Sequence, residues 1–266
     1  DTAEVNAVLV DFTKIMGVEV KKTDAEITRL EAEMPVDAAK LKAAAQANAA
    51  TKRVLGSLVE KLATRQAHSL AGLIYLGDTS ALLKLNTQAR EIYAAVLSKI
   101  DKKETGDDAA VAERAATRIR SQLVSLLRNE GKYDEANKQV DALIKSHPNA
   151  LEPLMEKGRI LQGWAEKDPK RYDECVTHWT SIRVKLGRLK TKPPEFYEVL
   201  YNASFCLLKQ SVATKDASKA LQAEQMLKST MTLSPSLNGP DTVEKYKTLL
   251  TKITAARKQL GSASLK

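Results

Sequence analysis

The eight prolines of this 266-residue chain divide it into segments of helical length. Each proline falls in a gap between stretches whose apolar residues recur every three to four positions, or within the first turn of such a stretch. A proline blocks a helix interior but is tolerated in a first turn, where its missing N–H has no helical partner. Aromatic residues make up only 5% of the chain, which disfavours a β-sandwich or barrel. The pattern predicts an all-α fold of about ten helices.

Beyond residue 108 the helices are separated by clear breakers such as Gly131 and the His147-Pro148 pair. Seven helices are predicted there, at 109–129, 133–146, 150–166, 169–186, 194–213, 216–233 and 240–260. The polar segment 104–108 precedes them and is the best candidate for an internal linker. We therefore divide the chain into a helical region at 1–108 and an array at 109–266, which we expect to form one continuous solenoid.

The N-terminal region follows a less regular pattern. One helix face is predicted to carry Val5, Val8, Leu9, Phe12 and Met16. Gly17 is well placed to end this first helix. Thr23 and Glu26 form a capping box for a second helix, which should end before Pro35.

A long helical stretch is predicted from Pro35 to about Leu76, because no proline interrupts it. The Gly77-Asp78 pair should break it, with Asp78 or Thr79 capping the next helix. The stripe predicted for that next helix is Leu82, Leu85, Ala89, Ile92, Tyr93, Val96 and Ile100.

One spacing of small, bulky and helix-breaking residues recurs along the array. A small residue is followed by a bulky residue four positions later, by another three positions after that, and by a breaker twelve positions from the start. The frame fits Ala136/Val140/Leu143/Pro148, Cys175/Trp179/Ile182/Gly187 and Ala223/Leu227/Thr230/Pro235, and more loosely Ala89/Tyr93/Val96. The small residue allows two helices to approach closely, and the breaker ends the second of them.

The frame, together with Gly131 and Tyr133 ahead of Ala136, resembles the turn and second helix of a tetratricopeptide repeat. Gly158 and Ala203 match the small contact residue of the family's first helix. The resemblance implies antiparallel helical hairpins stacked into a right-handed superhelix, with helix 240–260 as the terminal cap. The anchors lie further apart than the family period of about 34 residues, so longer helices or inserted loops are expected. A general helical-hairpin solenoid or bundle is the alternative within the same fold class.

The resemblance also implies a concave groove lined by outward-facing positions of each first helix. These positions are Arg118, Ser121, Ser125, Arg128, Met155, Arg159, Gln162 and Tyr197. Their arginines would make the groove somewhat basic and suited to an acidic segment of a partner. The alternative is that each arginine pairs with a neighbouring glutamate on the helix surface.

Motifs of enzyme chemistry are absent from the sequence. It contains no glycine-rich phosphate or dinucleotide loop and no Gly-x-Ser-x-Gly element. Cys175 and His178 could share a helix face, but no second pair has the spacing of metal ligands. We therefore expect no catalytic residue, no cofactor and no metal.

The charge is unevenly distributed along the chain. The net charge is +9, yet residues 1–34 hold eight acidic and four basic side chains. The most concentrated basic run, 183–192, contains no aromatic residue that could stack on bases, which disfavours nucleic acid as a partner. No apolar window is long enough for a membrane span.

These observations favour a non-enzymatic module that binds a peptide or partner protein in the groove. An architectural subunit is the alternative, in which the acidic N-terminal helices dock on a basic body of another copy or in a larger complex. A helical enzyme whose residues assemble only in three dimensions is a third possibility. The chain opens at Asp1 without a leader, as expected for a trimmed sequence or an exported protein whose signal has been removed. The sequence otherwise leaves the compartment open.

Overall fold

The structure, a computed structural model, describes residues 3–33, 37–65, 68–106 and 108–263. Within these ranges the chain forms eleven α-helices and one short 3₁₀ turn, with no strand. Helices that follow one another in sequence pack together in the pairs α1–α2, α2–α3, α3–α4 and throughout α6–α11. The all-α fold of packed helical hairpins is therefore confirmed. The right-handed superhelix stays a prediction.

The helices are α1 Ala3–Ala32, α2 Ala38–Ala63, α3 Leu70–Leu82, α4 Asn86–Asp101, α5 Ala109–Asn129, α6 Tyr133–Ser146, α7 Leu151–Lys167, α8 Tyr172–Gly187, α9 Pro194–Thr214, α10 Ala217–Leu233 and α11 Pro240–Ala263. The 3₁₀ turn Pro169–Arg171 precedes α8. All seven helices predicted beyond residue 108 are confirmed, with small shifts at their ends. Pro194 and Pro240 open α9 and α11, as expected for a residue without a backbone N–H.

The chain divides into two compact units, residues 1–126 and 127–266. The predicted linker at 104–108 does interrupt the helices, since α4 ends at Asp101 and α5 begins at Ala109. Asp107 lies outside the described residues. The division between the units falls inside α5, later than the predicted boundary at residue 108.

The second unit is built around the small residues of the recurring frame. Ala136, Cys175 and Ala223 are completely buried. The bulky residues that follow them are buried as well: Val140, Leu143, Trp179, Ile182 and Leu227. A Cβ atom on Gly158 of α7 would lie 2.4 Å from the Trp179 ring of α8, so only glycine allows this close approach of the two helices. The predicted helix contacts at these positions are therefore confirmed.

In the first unit, α1 is one uninterrupted helix from Ala3 to Ala32, so the predicted end at Gly17 is wrong. Gly17 is buried, and a Cβ atom there would lie 3.0 Å from the Tyr75 hydroxyl of α3. It is a contact residue between helices and not a cap. The predicted capping box is also wrong, because the Thr23 hydroxyl donates to the Glu19 carbonyl within the same helix. The predicted role of Pro35 lies outside the described residues.

The predicted apolar face of α1 is formed, but it is largely exposed. The exposed fraction is 49% for Val5, 69% for Val8 and 52% for Phe12, whereas Leu9 and Met16 are half-buried. The helix buries a different face, which consists of Asn6, Val10, Thr13, Gly17, Val20 and Leu30. Small and polar residues on that face allow α1 to lie close to α2 and α3.

The helix break after α2 also differs from the prediction. The chain leaves the helix after Ala63, and the Ser69 side chain caps α3 by accepting from the backbone N–H of Gly72 at 3.1 Å. Helix α3 then continues through Gly77 and Asp78 to Leu82. A Cβ atom on Gly77 would lie 2.5 Å from the Tyr93 ring, so this glycine serves close packing and not a turn.

The core stripe of α4 is confirmed in its centre and wrong at its start. Ala89, Ile92, Tyr93 and Val96 are buried. Leu82 belongs to α3, and Leu85 precedes α4, so neither continues the stripe.

Candidate functional site

Three of the eight predicted site residues line a single groove in the second unit: Arg128, Arg159 and Gln162. The groove has a volume of about 480 Å³. Helices α5, α7 and α9 supply most of its side chains, and we call it the α7–α9 groove. Its remaining lining residues are Asn129, Tyr133, Gly163, Glu166, Glu198 and Asn202.

A buried carboxylate lies beneath the two arginines. The Glu156 side chain on α7 is only 3% exposed and accepts from Nε of Arg128 at 2.7 Å. Its other oxygen accepts from Nη1 of Arg159 at 3.2 Å. Because a buried carboxylate is costly unless it is paired and hydrogen-bonded, Glu156 holds both guanidinium groups in place.

Arg159 connects two helices of this unit. Besides Glu156, it pairs with Glu152 on α7 at 3.2 Å and with Glu198 on α9 at 2.9 Å. Burial alone would lower the pKa of Arg159, but the hydrogen bonds and negative charges of these glutamates raise it above its ordinary value. The guanidinium therefore stays charged and fixed in position.

The charge of the groove differs from the expectation. Two guanidinium groups and two carboxylates, those of Glu166 and Glu198, line the groove, and Glu152 and the buried Glu156 outside the lining pair with the same arginines. Glu166 is exposed and has no ion-pair partner within the described part of the chain. The alternative of arginines paired with neighbouring glutamates is thus the correct one. The prediction that the groove of this unit carries a net positive charge is wrong.

An aromatic side chain forms one wall. The Tyr133 ring stacks on Trp164, with ring centroids 6.5 Å apart and planes inclined by 19°. Arg171 covers the same indole, with Cζ 3.4 Å from the ring centroid. Gly163 leaves room for Tyr133, because a Cβ atom there would lie 2.8 Å from its ring. The wall is therefore held by contacts of Trp164 with both Tyr133 and Arg171.

Two predicted site residues of this unit do not line the groove. Met155 is only 1% exposed and packs in the core with Trp179, so its prediction as an outward residue is wrong. It faces inward because the outward side of α7 carries Glu152, Arg159 and Glu166, which are spaced two helical turns apart. Tyr197 is half-buried, and its backbone carbonyl accepts from the Tyr246 hydroxyl at 2.7 Å.

The three remaining predicted residues, Arg118, Ser121 and Ser125, belong to the first unit. Arg118 forms an ion pair with Asp78, which also accepts from the Tyr93 hydroxyl at 2.6 Å. The Ser121 hydroxyl donates to the Thr117 carbonyl at 3.1 Å within α5, and Ser125 is half-buried.

The cysteine and histidine singled out in the sequence have separate partners. The Sγ atoms of Cys175 and Cys206 lie 3.0 Å apart in the core, and both cysteines are free thiols. The contact with Cys175 and burial together raise the pKa of Cys206, so this thiol stays protonated. The His178 ring contacts the Leu154 carbonyl at 2.8 Å through Nε2, and burial lowers its pKa. Cys175 and His178 therefore do not converge on a common ligand.

A larger groove in the first unit was not predicted from the sequence. It has a volume of about 1190 Å³ and lies between α2 and α4. Its apolar lining includes Leu73, Leu83, Leu85 and Ile92. Locating it requires the break between α2 and α3, which the sequence pattern placed elsewhere.

Neither a metal cluster nor a membrane span is found in the residues that the structure describes. No three His, Cys, Asp or Glu side chains there are grouped to hold a metal ion. No described helix combines the length and apolar character needed to cross a bilayer. Comparison of the chain with models of protein families and with curated proteins gives no match.

Proposed function

We propose that this protein is a non-enzymatic interaction module whose α7–α9 groove binds an extended segment of a partner protein. The observation that supports this most is the set of ion pairs from Arg128 through Glu156 and Arg159 to Glu198. These pairs connect side chains of α5, α7 and α9 across the floor of an open groove. A surface held in this way loses little conformational entropy when a ligand binds, which favours binding.

Recognition in this groove would combine hydrogen bonds with charge. Gln162 and Asn202 carry amides that can donate to and accept from an extended backbone. Tyr133 offers an aromatic edge beside them. Since the exposed Glu166 has no ion-pair partner within the described part of the chain, we propose a segment that contains lysine or arginine, in place of the acidic segment expected from the sequence.

The tetratricopeptide-like arrangement is the framework that we propose for the second unit. The buried small residues Ala136, Cys175 and Ala223 support it, as does the close approach of Gly158 to Trp179. In that framework α7 and α9 are the first helices of successive hairpins, and their outward side chains form the binding surface.

A fluorescent decapeptide of alternating lysine and alanine, compared with its glutamate–alanine counterpart, tests the proposal by fluorescence anisotropy. We expect the lysine peptide to bind more tightly and its binding to weaken as salt is added. The variant Gln162→Lys adds a positive charge inside the groove and should weaken binding about tenfold, an order typical of one interfacial charge.

The matched control is Gln222→Lys, an identical change at an exposed position of α10 outside the groove. It should bind the lysine peptide like the unmodified protein. Equal effects of the two variants, or tighter binding of the glutamate peptide, would show that this groove is not the binding surface.

A second candidate function is architectural, as a subunit that assembles through its N-terminal helices. The observation that favours it is the exposed apolar face of α1. This candidate involves the first unit, so it is independent of peptide binding in the second.

A further inference from the structure

Helix α1 exposes a continuous row of large apolar side chains. Val8 and Ile15 are each 69% exposed, Phe12 is 52% and Val18 is 54% exposed. Val5, which is 49% exposed, lies on the same side of the helix. We call these five residues the α1 stripe. Single exposed apolar residues are ordinary on a protein surface, but a contiguous row marks an interaction site.

The spacing within the α1 stripe is that of a helix–helix seam. Val5, Val8, Phe12 and Ile15 follow steps of three, four and three residues, which are the a and d positions of two heptads. The stripe offers on the order of 500 Å² of apolar surface, which matches the largest patches of monomeric proteins. Two such surfaces together reach the ~1,000 Å² that a specific interface requires.

We propose that the α1 stripe is the interface of a homodimer in which α1 packs antiparallel against α1 of a second copy. In this arrangement Val5 faces Ile15 of the second copy and Val8 faces its Phe12. Each of the four residues at a and d positions therefore contacts another of them. The contact is isologous and closes after two copies, which is the commonest symmetry of soluble oligomers. This makes the architectural candidate specific without depending on peptide binding.

The surroundings of the stripe favour a second copy over other occupants. Asp11 at its edge is already paired with Lys14 at 2.7 Å, so this edge is locally neutral when two copies meet. A membrane surface is disfavoured, because residues 1–34 carry eight acidic and four basic side chains and anionic lipids attract basic helices.

Two heptads alone would be too short for a stable coiled coil between free peptides. Here α1 is already folded against α2 and α3, so the dimer need not order the helix. We therefore expect dissociation in the micromolar range, with monomer at low concentration and dimer at high concentration.

Sedimentation velocity of the full chain from low to high micromolar concentration tests the dimer. The unmodified protein should shift from monomer to dimer, and Ile15→Glu should stay monomeric. The matched control is Val54→Glu, which places the same charge at a similarly exposed valine of α2 (58%) away from the stripe. Circular dichroism should show equal helix content for all three proteins, because both substituted side chains are already exposed.

Disulfide trapping tests the antiparallel register. A mixture of Val5→Cys and Ile15→Cys proteins should form an intermolecular disulfide, whereas Val5→Cys alone should not, because its two copies would lie about 15 Å apart along the seam. A disulfide in Val5→Cys alone would indicate a parallel seam and overturn the register. A monomer at every concentration, or a dimer that Ile15→Glu leaves intact, would overturn the interface. Neither result affects peptide binding in the α7–α9 groove.

Discussion

Helices α7 and α1 each carry a glycine that leaves room for a side chain of a neighbouring helix, but the two glycines face different surroundings. Gly158 of α7 lies against the body of the Trp179 ring, which is completely buried. Gly17 of α1 lies against the hydroxyl of Tyr75, the far end of a half-buried side chain. The first contact belongs to an apolar core, whereas the second belongs to a face on which the polar Asn6 and Thr13 alternate with apolar residues such as Val10 and Val20.

The difference teaches how each helix uses its apolar residues. Helix α7 buries Met155 and Leu161 on the side of its glycine, and both belong to the core that holds Trp179. Helix α1 buries Val10, Val20 and Leu30 beside its small and polar residues, and leaves the five large apolar residues of the α1 stripe exposed. The same three-to-four-residue spacing therefore belongs to a core in one unit and to a surface in the other.

The largest difference in the free energy of unfolding should come from removing one aromatic ring in each unit. Trp179→Ala should lower the free energy of unfolding by about 3–5 kcal/mol, because it leaves a cavity in the core. Phe12→Ala should change it by less than about 0.5 kcal/mol in dilute solution. Urea titrations of both variants measure this. A large loss for Phe12→Ala would mean that α1 buries the opposite face from the one described.

A smaller effect is expected at the buried carboxylate of the groove. Glu156→Gln keeps the shape but removes the charge that pairs with Arg128 and Arg159, and should cost about 2 kcal/mol. Asp24→Asn in the first unit removes a half-exposed partner of Lys52 and should cost less than about 1 kcal/mol. Thermal unfolding compares the two. Equal costs would contradict the burial that separates these carboxylates.

Alanine substitutions of Gly158 and Gly17 should give a smaller difference in stability. Gly158→Ala should destabilise the protein by about 1–2 kcal/mol, because a methyl group cannot fit against the Trp179 ring without displacing it. Gly17→Ala should be nearly neutral, since Tyr75 can shift and alanine gains about 1 kcal/mol in helix propensity. Chemical denaturation at one temperature measures both changes. The reverse order would refute the account of the two contacts.

The smallest expected effect is the dependence of stability on pH through His178. Burial lowers the pKa of His178 below its ordinary value, so between the two values the unfolded chain binds more protons than the folded chain. Stability should therefore fall as the pH drops through about 6.5. His178→Gln, which can still donate to the Leu154 carbonyl, should reduce this loss. An unchanged pH profile of unfolding would show that His178 does not contribute.

The sequence allowed accurate prediction of the helices beyond residue 108, because prolines and small residues mark both their ends and their contacts. Ala136, Cys175 and Ala223 were expected at helix contacts and are buried there. In the first unit the glycines misled the prediction. Glycine commonly ends a helix, which is why Gly17 and Gly77 were predicted to do so. In the structure both lie inside helices and make room for a tyrosine of a neighbouring helix.

The candidate site was only partly predictable. Arg128, Arg159 and Gln162 were expected from the resemblance to a tetratricopeptide repeat, and they line the groove. The net charge of the groove could not be predicted in the same way, because Glu198, which pairs with Arg159, lies on a different helix 39 positions later. Met155 is buried although it lies only one helical turn from Arg159, so the repeat mapping did not separate the outward side of α7 from its core side.

The central claim is that apolar residues spaced three to four positions apart are exposed on α1 but buried in the second unit. Maleimide labelling of cysteines introduced one at a time tests it most directly. Val8→Cys should react rapidly in dilute protein and become protected as the concentration rises and the dimer forms. Val140→Cys in the core should stay protected throughout, like the buried Cys175 and Cys206 of the unmodified protein. A Val8→Cys thiol that is protected even in dilute, monomeric protein would contradict the account.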